Sequence, residues 1–237
     1  MIIGLTLFVV VLATLSIFQL RTLTGNVPFK AHRDPQIDGL LKFQIAQFLL
    51  AWLVLGCAYL LAPENFKVFF RLGNLDARIS PVAWLGINGT ESWRQIALVM
   101  GFWITAATGI YMALGLWRAG AKLSALPSVL LWVLFFSALN AFSEEAIFRL
   151  AIVAPLYGKL TVSTILLISA ALFGVPHYFG TPSGIPGVLM AGFLGWLLAL
   201  SLIETQGLLV AWALHFVQDV VIIGSTILIT RRAGAGS

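Results

Sequence analysis

Apolar runs long enough to cross a bilayer recur along this chain, and they constrain its fold more than any single motif does. A helix rising about 1.5 Å per residue needs roughly 20 apolar residues to span hydrocarbon about 30 Å thick. Runs of that kind occupy about residues 2–20, 43–62, 96–117, 160–178, 187–203 and 208–230, with one more starting near residue 126 and passing through a charged motif. Within lipid every backbone N–H and C=O must find a partner inside the span, so a sequence of this pattern folds as helices. Of 237 residues, 60% are hydrophobic and 10% charged, with mean hydropathy +0.99, far from the balance of a soluble globular domain. The expectation is an all-α, polytopic membrane helix bundle of about seven to eight transmembrane helices. Residues 1–237 are expected to form a single integral membrane domain, with no length left for a second, soluble one.

The connections carry less information. Residues 2–20 have no basic residue before them and no small-residue cleavage site after them, which argues for a retained span over a leader peptide. Residues 21–42 read as a polar loop in which His32 has no assigned role, and residues 63–94 as the longest loop. Within that loop, Phe66, Lys67, Phe69, Phe70 and Arg71 suit a short interfacial helix about as well as a solvated segment. Asn88-Gly89-Thr90 matches a glycosylation sequon, a pattern short enough that chance explains it. The glycines and prolines of residues 180–187 dictate a turn, and Ala191 and Gly195, four apart, let a neighbouring helix approach closely. Cys57 has no possible intrachain partner and reads as a small buried hydrophobe. The tail of small residues, 233–237, is set aside as either native or a cloning scar. A net charge of +5 comes from scattered basic residues that fit lipid headgroups and topology rather than a nucleic-acid groove. Seven spans with the amino terminus outside put Arg21, Lys30, Arg33, Lys42, Arg118, Lys122, Arg231 and Arg232 on the cytoplasmic side.

Against this background, Glu144, Glu145 and Arg149 stand out inside an apolar run. Each charge at a bilayer centre costs about 2.5 to 3.5 kcal/mol on translocon scales, so three together mark a functional site by default. Glu145 and Arg149 are four apart with the acid first, the favourable order for an ion pair on one helix face. Glu144 lies about 100° round the helix without such a partner, free to act at another surface. The plain alternative makes Ser143 an N-cap whose helix carries Glu144 and Glu145 in its first turn.

Other ionisable groups of the later spans are few: His177, His215 and Asp219, with Glu204 at a boundary. His215 and Asp219 share a helical face, and intramembrane polar groups usually converge on one cavity, so Glu144, His177, His215 and Asp219 suggest a single site drawn from three spans. A glutamate beside a histidine in a low-dielectric cavity can take a proton from water, and a donor opposite can stabilise the oxyanion formed on an amide. Those are the parts of a hydrolase. No Gly-x-Ser-x-Gly elbow or serine–histidine pairing supports a covalent mechanism. The same residues leave other readings open: a zinc-dependent membrane metalloprotease, though the His-Glu-x-x-His pattern is absent, an ion-coupled carrier, and a membrane scaffold or immunity factor.

Glu144-Glu145-x-x-x-Arg149, Phe173-x-x-x-His177 and His215-x-x-x-Asp219, in this order and each in or at the end of an apolar span, resemble the three motifs of the CPBP family. That family comprises the CaaX prenyl endopeptidases of the Ras-converting-enzyme type and the bacterial Abi proteins, and the resemblance covers about residues 126–222. It implies an intramembrane glutamic endopeptidase hydrolysing a peptide bond near a protein or peptide terminus, with no cofactor. Glu144 would be the general base, His177 would share its water, Glu145 and Arg149 would be the supporting ion pair, and His215 with residue 219 would form the oxyanion side. Phe173 is expected only to pack. Here Asp219 stands where the CaaX endopeptidases carry asparagine. An ionised aspartate cannot donate a hydrogen bond, so Asp219 is either protonated or orients His215. The expected partners are membrane lipid and a protein or peptide substrate, lipidated or membrane-anchored, and no nucleic acid. By analogy, the expected location is a prokaryotic cell membrane. The first three spans are expected to add nothing beyond membrane character.

Overall fold

The computed structural model describes residues 1–234, with side chains to residue 232, so residues 235–237 of the set-aside tail lie outside the described residues. In chain order the helices are α1 (Ile2–Gly25), α2 (Pro35–Leu61), the short α3 (Pro63–Phe69) and α4 (Trp93–Ala119). Then come α5 (Leu130–Glu145), a π-helical turn at Ala146–Leu150, and α6 (Ala151–Leu156), which together make one broken span. The chain finishes with α7 (Val162–Gly174), prolonged by a 3-10 turn at Val175–Phe179, then α8 (Gly184–Thr205) and α9 (Leu209–Gly234). Seven of these spans are long and apolar enough to cross a membrane, and no strand occurs among the described residues.

Local chemistry sets the helix starts. Asp34 accepts hydrogen bonds from the Gln36 and Ile37 amides while Pro35 fixes the first helical φ, so α2 begins at Pro35, well before residue 43. Because α1 also continues to Gly25, the supposed loop of residues 21–42 shrinks, and Arg21, Asp38 and Lys42 are helical residues. Asp38 and Lys42 form an i,i+4 ion pair at 2.7 Å. Ser92 and Gln95 make a reciprocal capping box at the start of α4, and the Thr161 hydroxyl caps α7.

The supposed long loop is also partly ordered. Asn65 in α3 donates to the carbonyls of Ala154 and Tyr157, while Leu208 and Leu209 amides donate to Arg71 and Leu72. The carboxylate of Glu204 accepts from the Trp93 indole at 2.8 Å and from the Ser80 amide, stapling residues 70–92 across one end of the bundle. At the opposite end Arg231 reaches both Asp34 and Ser128, joining the α1–α2 connection, the α4–α5 connection and the end of α9. This is the end at which Arg21, Arg118 and Lys122 also lie.

Inside, Ile147, Leu150, Ile152 and Leu156 of the broken span meet Leu197, Leu198 and Leu202 of α8, all without solvent exposure. α7 is the close neighbour that Ala191 and Gly195 admit. A Cβ on Gly195 would lie 3.2 Å from the Ala170 Cα, and one on Gly174 would lie 2.9 Å from the Gly192 Cα, so side chains at these crossings would push the backbones apart. Leu53, Leu60, Phe102, Trp103 and Leu131 point outward, as side chains solvated by lipid tails do.

Candidate active site

Glu144 and Glu145 sit at the end of α5, in mid-span. Ser143 is not a cap there: its hydroxyl donates to the Leu139 carbonyl at 2.8 Å, and the helix passes through it without a break. The capping alternative therefore fails. Immediately after Glu145 the chain widens into the π-helical turn, a distortion that inserts an extra residue and is frequent at functional sites.

That turn carries Arg149, whose side chain has no exposure. Its Nε lies 3.2 Å from Glu145 Oε2, and its guanidinium carbon stands 3.8 Å over the centroid of the Phe173 ring. Phe173 does more than pack, since the negative face of its ring meets the cation. None of the guanidinium nitrogens, Nε included, makes a hydrogen bond among the described residues, so the charge depends on ion-pair proximity to Glu145 and on the ring. The other oxygen of Glu145, Oε1, lies 2.7 Å from His215 Nδ1. One buried carboxylate thus holds both a guanidinium and an imidazole, and turns His215 Nε2 away from itself.

Glu144 has a different environment. Its side chain keeps 18% exposure against 2% for Glu145. Oε1 accepts from Gln47 Nε2 at 3.4 Å, and Oε2 is 3.6 Å from His215 Nε2. Asp219 Oδ1 is 3.7 Å from the same Nε2, too long for a hydrogen bond, while Asp219 Oδ2 accepts from Asn140 Nδ2 at 3.0 Å. The contact that orients His215 therefore comes from Glu145, and Asp219 does not supply it. Asn140 Oδ1 in turn accepts from Gln44 Nε2 at 3.2 Å. On the other wall, His177 Nδ1 donates to the Phe173 carbonyl at 2.6 Å, which leaves Nε2 able to accept. The Phe173 ring lies between both histidines, with centroids 4.6 Å from His177 and 5.6 Å from His215.

Glu144, His177, His215 and Asp219 all line one cavity of about 560 Å³, together with Asn140, Gln44 and Gln218. From mid-span it extends past Arg21 and Thr24 of α1 and past residues 180–182, toward the basic end of the bundle. Glu145 and Arg149 stay behind its wall.

Sequence reasoning missed Asn140, Gln44 and Gln47. The idea that the first three spans add only membrane character is corrected by α2, which sends both glutamine amides into the site. A signal was present: two amides three residues apart in an apolar helix lie on one face and need partners in lipid. Among the described residues, no group of three or more His, Cys, Asp and Glu side chains is arranged to hold a metal ion.

A carboxylate, an accepting imidazole and amide donors around one cavity are suited to proton transfer to and from a polar substrate. Residues 126–221, less than half of the chain, match the family model described as type II CAAX prenyl endopeptidase, Rce1-like. No curated protein and no solved structure matches the chain.

Proposed function

We propose, from the match of residues 126–221 to the Rce1-like type II CAAX prenyl endopeptidase model, that this protein is an intramembrane endopeptidase in which Glu144 activates the attacking water. The family makes a CAAX-type membrane peptidase acting on a protein or peptide substrate the general reading. The finer assignment is ours. The observation that carries it is the unequal treatment of neighbouring acids: Glu145 is consumed by Arg149 and His215 behind the wall, while Glu144 faces the cavity beside His177 and His215.

In this scheme Glu144 takes one proton from a water held between it and His177 Nε2, as the water oxygen bonds to the scissile carbonyl carbon. The negative charge that develops on the carbonyl oxygen is met by the second amide hydrogen of Asn140 and by His215 Nε2 when it carries a proton. Glu144 then returns its proton to the amide nitrogen, the C–N bond breaks as the oxyanion re-forms a carbonyl, and the new carboxylic acid passes its remaining water proton to the amine, so that a carboxylate and an ammonium leave. Removing a positioned general base typically forfeits about 10² to 10⁴ in rate. No step is routed through zinc.

Purified protein, treated with a chelator and given a membrane-anchored peptide, tests this by mass spectrometry of the products. Cleavage that persists after metal removal and vanishes in His177→Ala as it does in Glu144→Gln supports the scheme. Cleavage abolished by the chelator and restored by zinc would overturn it. We place the protein in a prokaryotic cell membrane, and comparison of membrane proteomes with and without the chain would identify its substrate.

A further inference from the structure

Away from the Glu144 cavity, charge is spread unevenly over the two ends of the bundle. The basic end holds eight Lys and Arg residues against only Asp34 and Asp38, whereas the opposite end holds five against four acids. Three of the eight converge on one concavity. Lys122 of the α4–α5 connection and Arg231 and Arg232 of the last turn of α9 line a second cavity of about 340 Å³, completed by Gly120, Ala125 and Leu228.

Local contacts shape this pocket. Arg231 is fixed at its wall, because the guanidinium pairs with Asp34 while Nη1 donates to Ser128 Oγ at 3.4 Å. Gly120 ends α4 with φ +61°, a left-handed conformation that strains any residue with a Cβ. A Cβ at Gly120 would also stand 3.9 Å from Arg232 Nε, so the bare glycine leaves the edge of that guanidinium open.

We infer that this pocket binds the phosphate of an anionic phospholipid, whose acyl chains run down the outer face of α4. Three cations in one concavity suit a phosphate, since its oxygens accept charge-assisted hydrogen bonds from guanidinium and ammonium groups at once. The surface below the pocket selects a lipid over free phosphate. Ile110, Leu114 and Trp117 are spaced four and three residues apart, hence on one face of α4, and they point outward with 66%, 48% and 78% exposure. One further turn along that face brings Gly120, at the lip of the pocket. An exposed tryptophan beside basic residues at the end of a span marks the headgroup level. An apolar track for tails therefore leads to a cationic seat for a headgroup, the arrangement by which basic pockets between spans hold anionic lipid. The inference is independent of the peptidase reading.

The test places the whole protein in nanodiscs of phosphatidylcholine alone, or of phosphatidylcholine with phosphatidylglycerol, and reads Tm in each. In the parent the anionic lipid raises Tm by about 5 °C or more, the shift for a chain of this size with ligand near a hundredfold its Kd. Lys122→Gln/Arg232→Gln keeps the parent's Tm in phosphatidylcholine and loses most of the rise. Lys30→Gln/Arg33→Gln, which removes the same charge from the same end but outside the pocket, retains the rise. Equal losses in the two double variants would make the effect one of diffuse surface charge and overturn the inference. So would a rise unchanged in Lys122→Gln/Arg232→Gln, or no rise in the parent. Inorganic phosphate added to phosphatidylcholine nanodiscs is expected to leave Tm unmoved, and a rise matching that of phosphatidylglycerol would overturn the lipid assignment in favour of a soluble anion.

Discussion

The two halves of this bundle handle polar groups in opposite ways. In α1, α2 and α4 between 17% and 33% of the best apolar window is buried, the polar members are neutral amides and hydroxyls, and charge gathers at the helix ends. In the spans from residue 130 onward burial runs from 28% to 56%, overlapping the first half, and what sets them apart is that acids, imidazoles and a guanidinium are packed into the interior. The difference teaches where specificity resides. The second half contains the groups able to move protons, and the first half supplies amides that reach Glu144 and Asn140 and one wall of the cavity.

The largest expected effect attacks the division inside the second half. Arg149→Met leaves Glu145 buried with its partner gone, and should destabilise the protein by about 3–5 kcal/mol, seen as a lowered Tm in detergent. Adding Glu145→Gln to it should recover part of that loss. A Tm equal to the parent's in Arg149→Met would mean that Glu145 is not the structural acid. Next is Asn140→Ala, which removes a proposed oxyanion donor and should lower kcat by about 10² to 10³ with little change in KM. A change confined to KM would move Asn140 to substrate binding.

A smaller effect tests whether the first half merely encloses the site. Gln47→Leu removes the one hydrogen bond from α2 to Glu144 and should cost about tenfold in kcat/KM, the worth of a single positional hydrogen bond. Unchanged kinetics would return α2 to the status of lipid-facing wall. The smallest effect lies at the basic end. Burial pushes the Asp34 carboxyl up, but the amides of Ile37 and Gln36 and the charge of Arg231 outweigh it and hold the group below the usual carboxylate range. With the folded value depressed, its contribution to stability is present above the unfolded value of about 3.9 and fades as pH falls through the folded one. Because the pair is about a third exposed, Asp34→Asn should cost under about 1 kcal/mol at neutral pH. It should also make unfolding less sensitive to acid below about pH 4, as followed by Tm against pH.

The same contrast explains what could be read before any coordinates. Seven spans follow from apolar length alone, because lipid leaves the backbone no other fold, and Glu144, Glu145 and Arg149 announce themselves because charges are rare there. Gln44 and Gln47 pose a question, since two amides on one face of an apolar helix need partners, but they do not name those partners, and Asn140 is silent; only the packing of α2 on α5 reveals that Gln47 and Asn140 each meet an acid. Arg21 is silent for another reason. It reads as a loop cation until α1 is seen to run to Gly25 and carry it along the cavity. The π-helical turn that buries Arg149 has no sequence signature that we can identify.

The central claim is that adjacent glutamates do different work, and exchanging each for its isosteric amide tests it directly. Glu144→Gln and Glu145→Gln are compared with the parent for product formation and for Tm in the same membrane preparation. The account predicts that Glu144→Gln keeps the parent's Tm and forms product at least about 10² more slowly, whereas Glu145→Gln unfolds at a lower temperature. Glu144→Gln protein that is folded and cleaves at the parent's rate would contradict it.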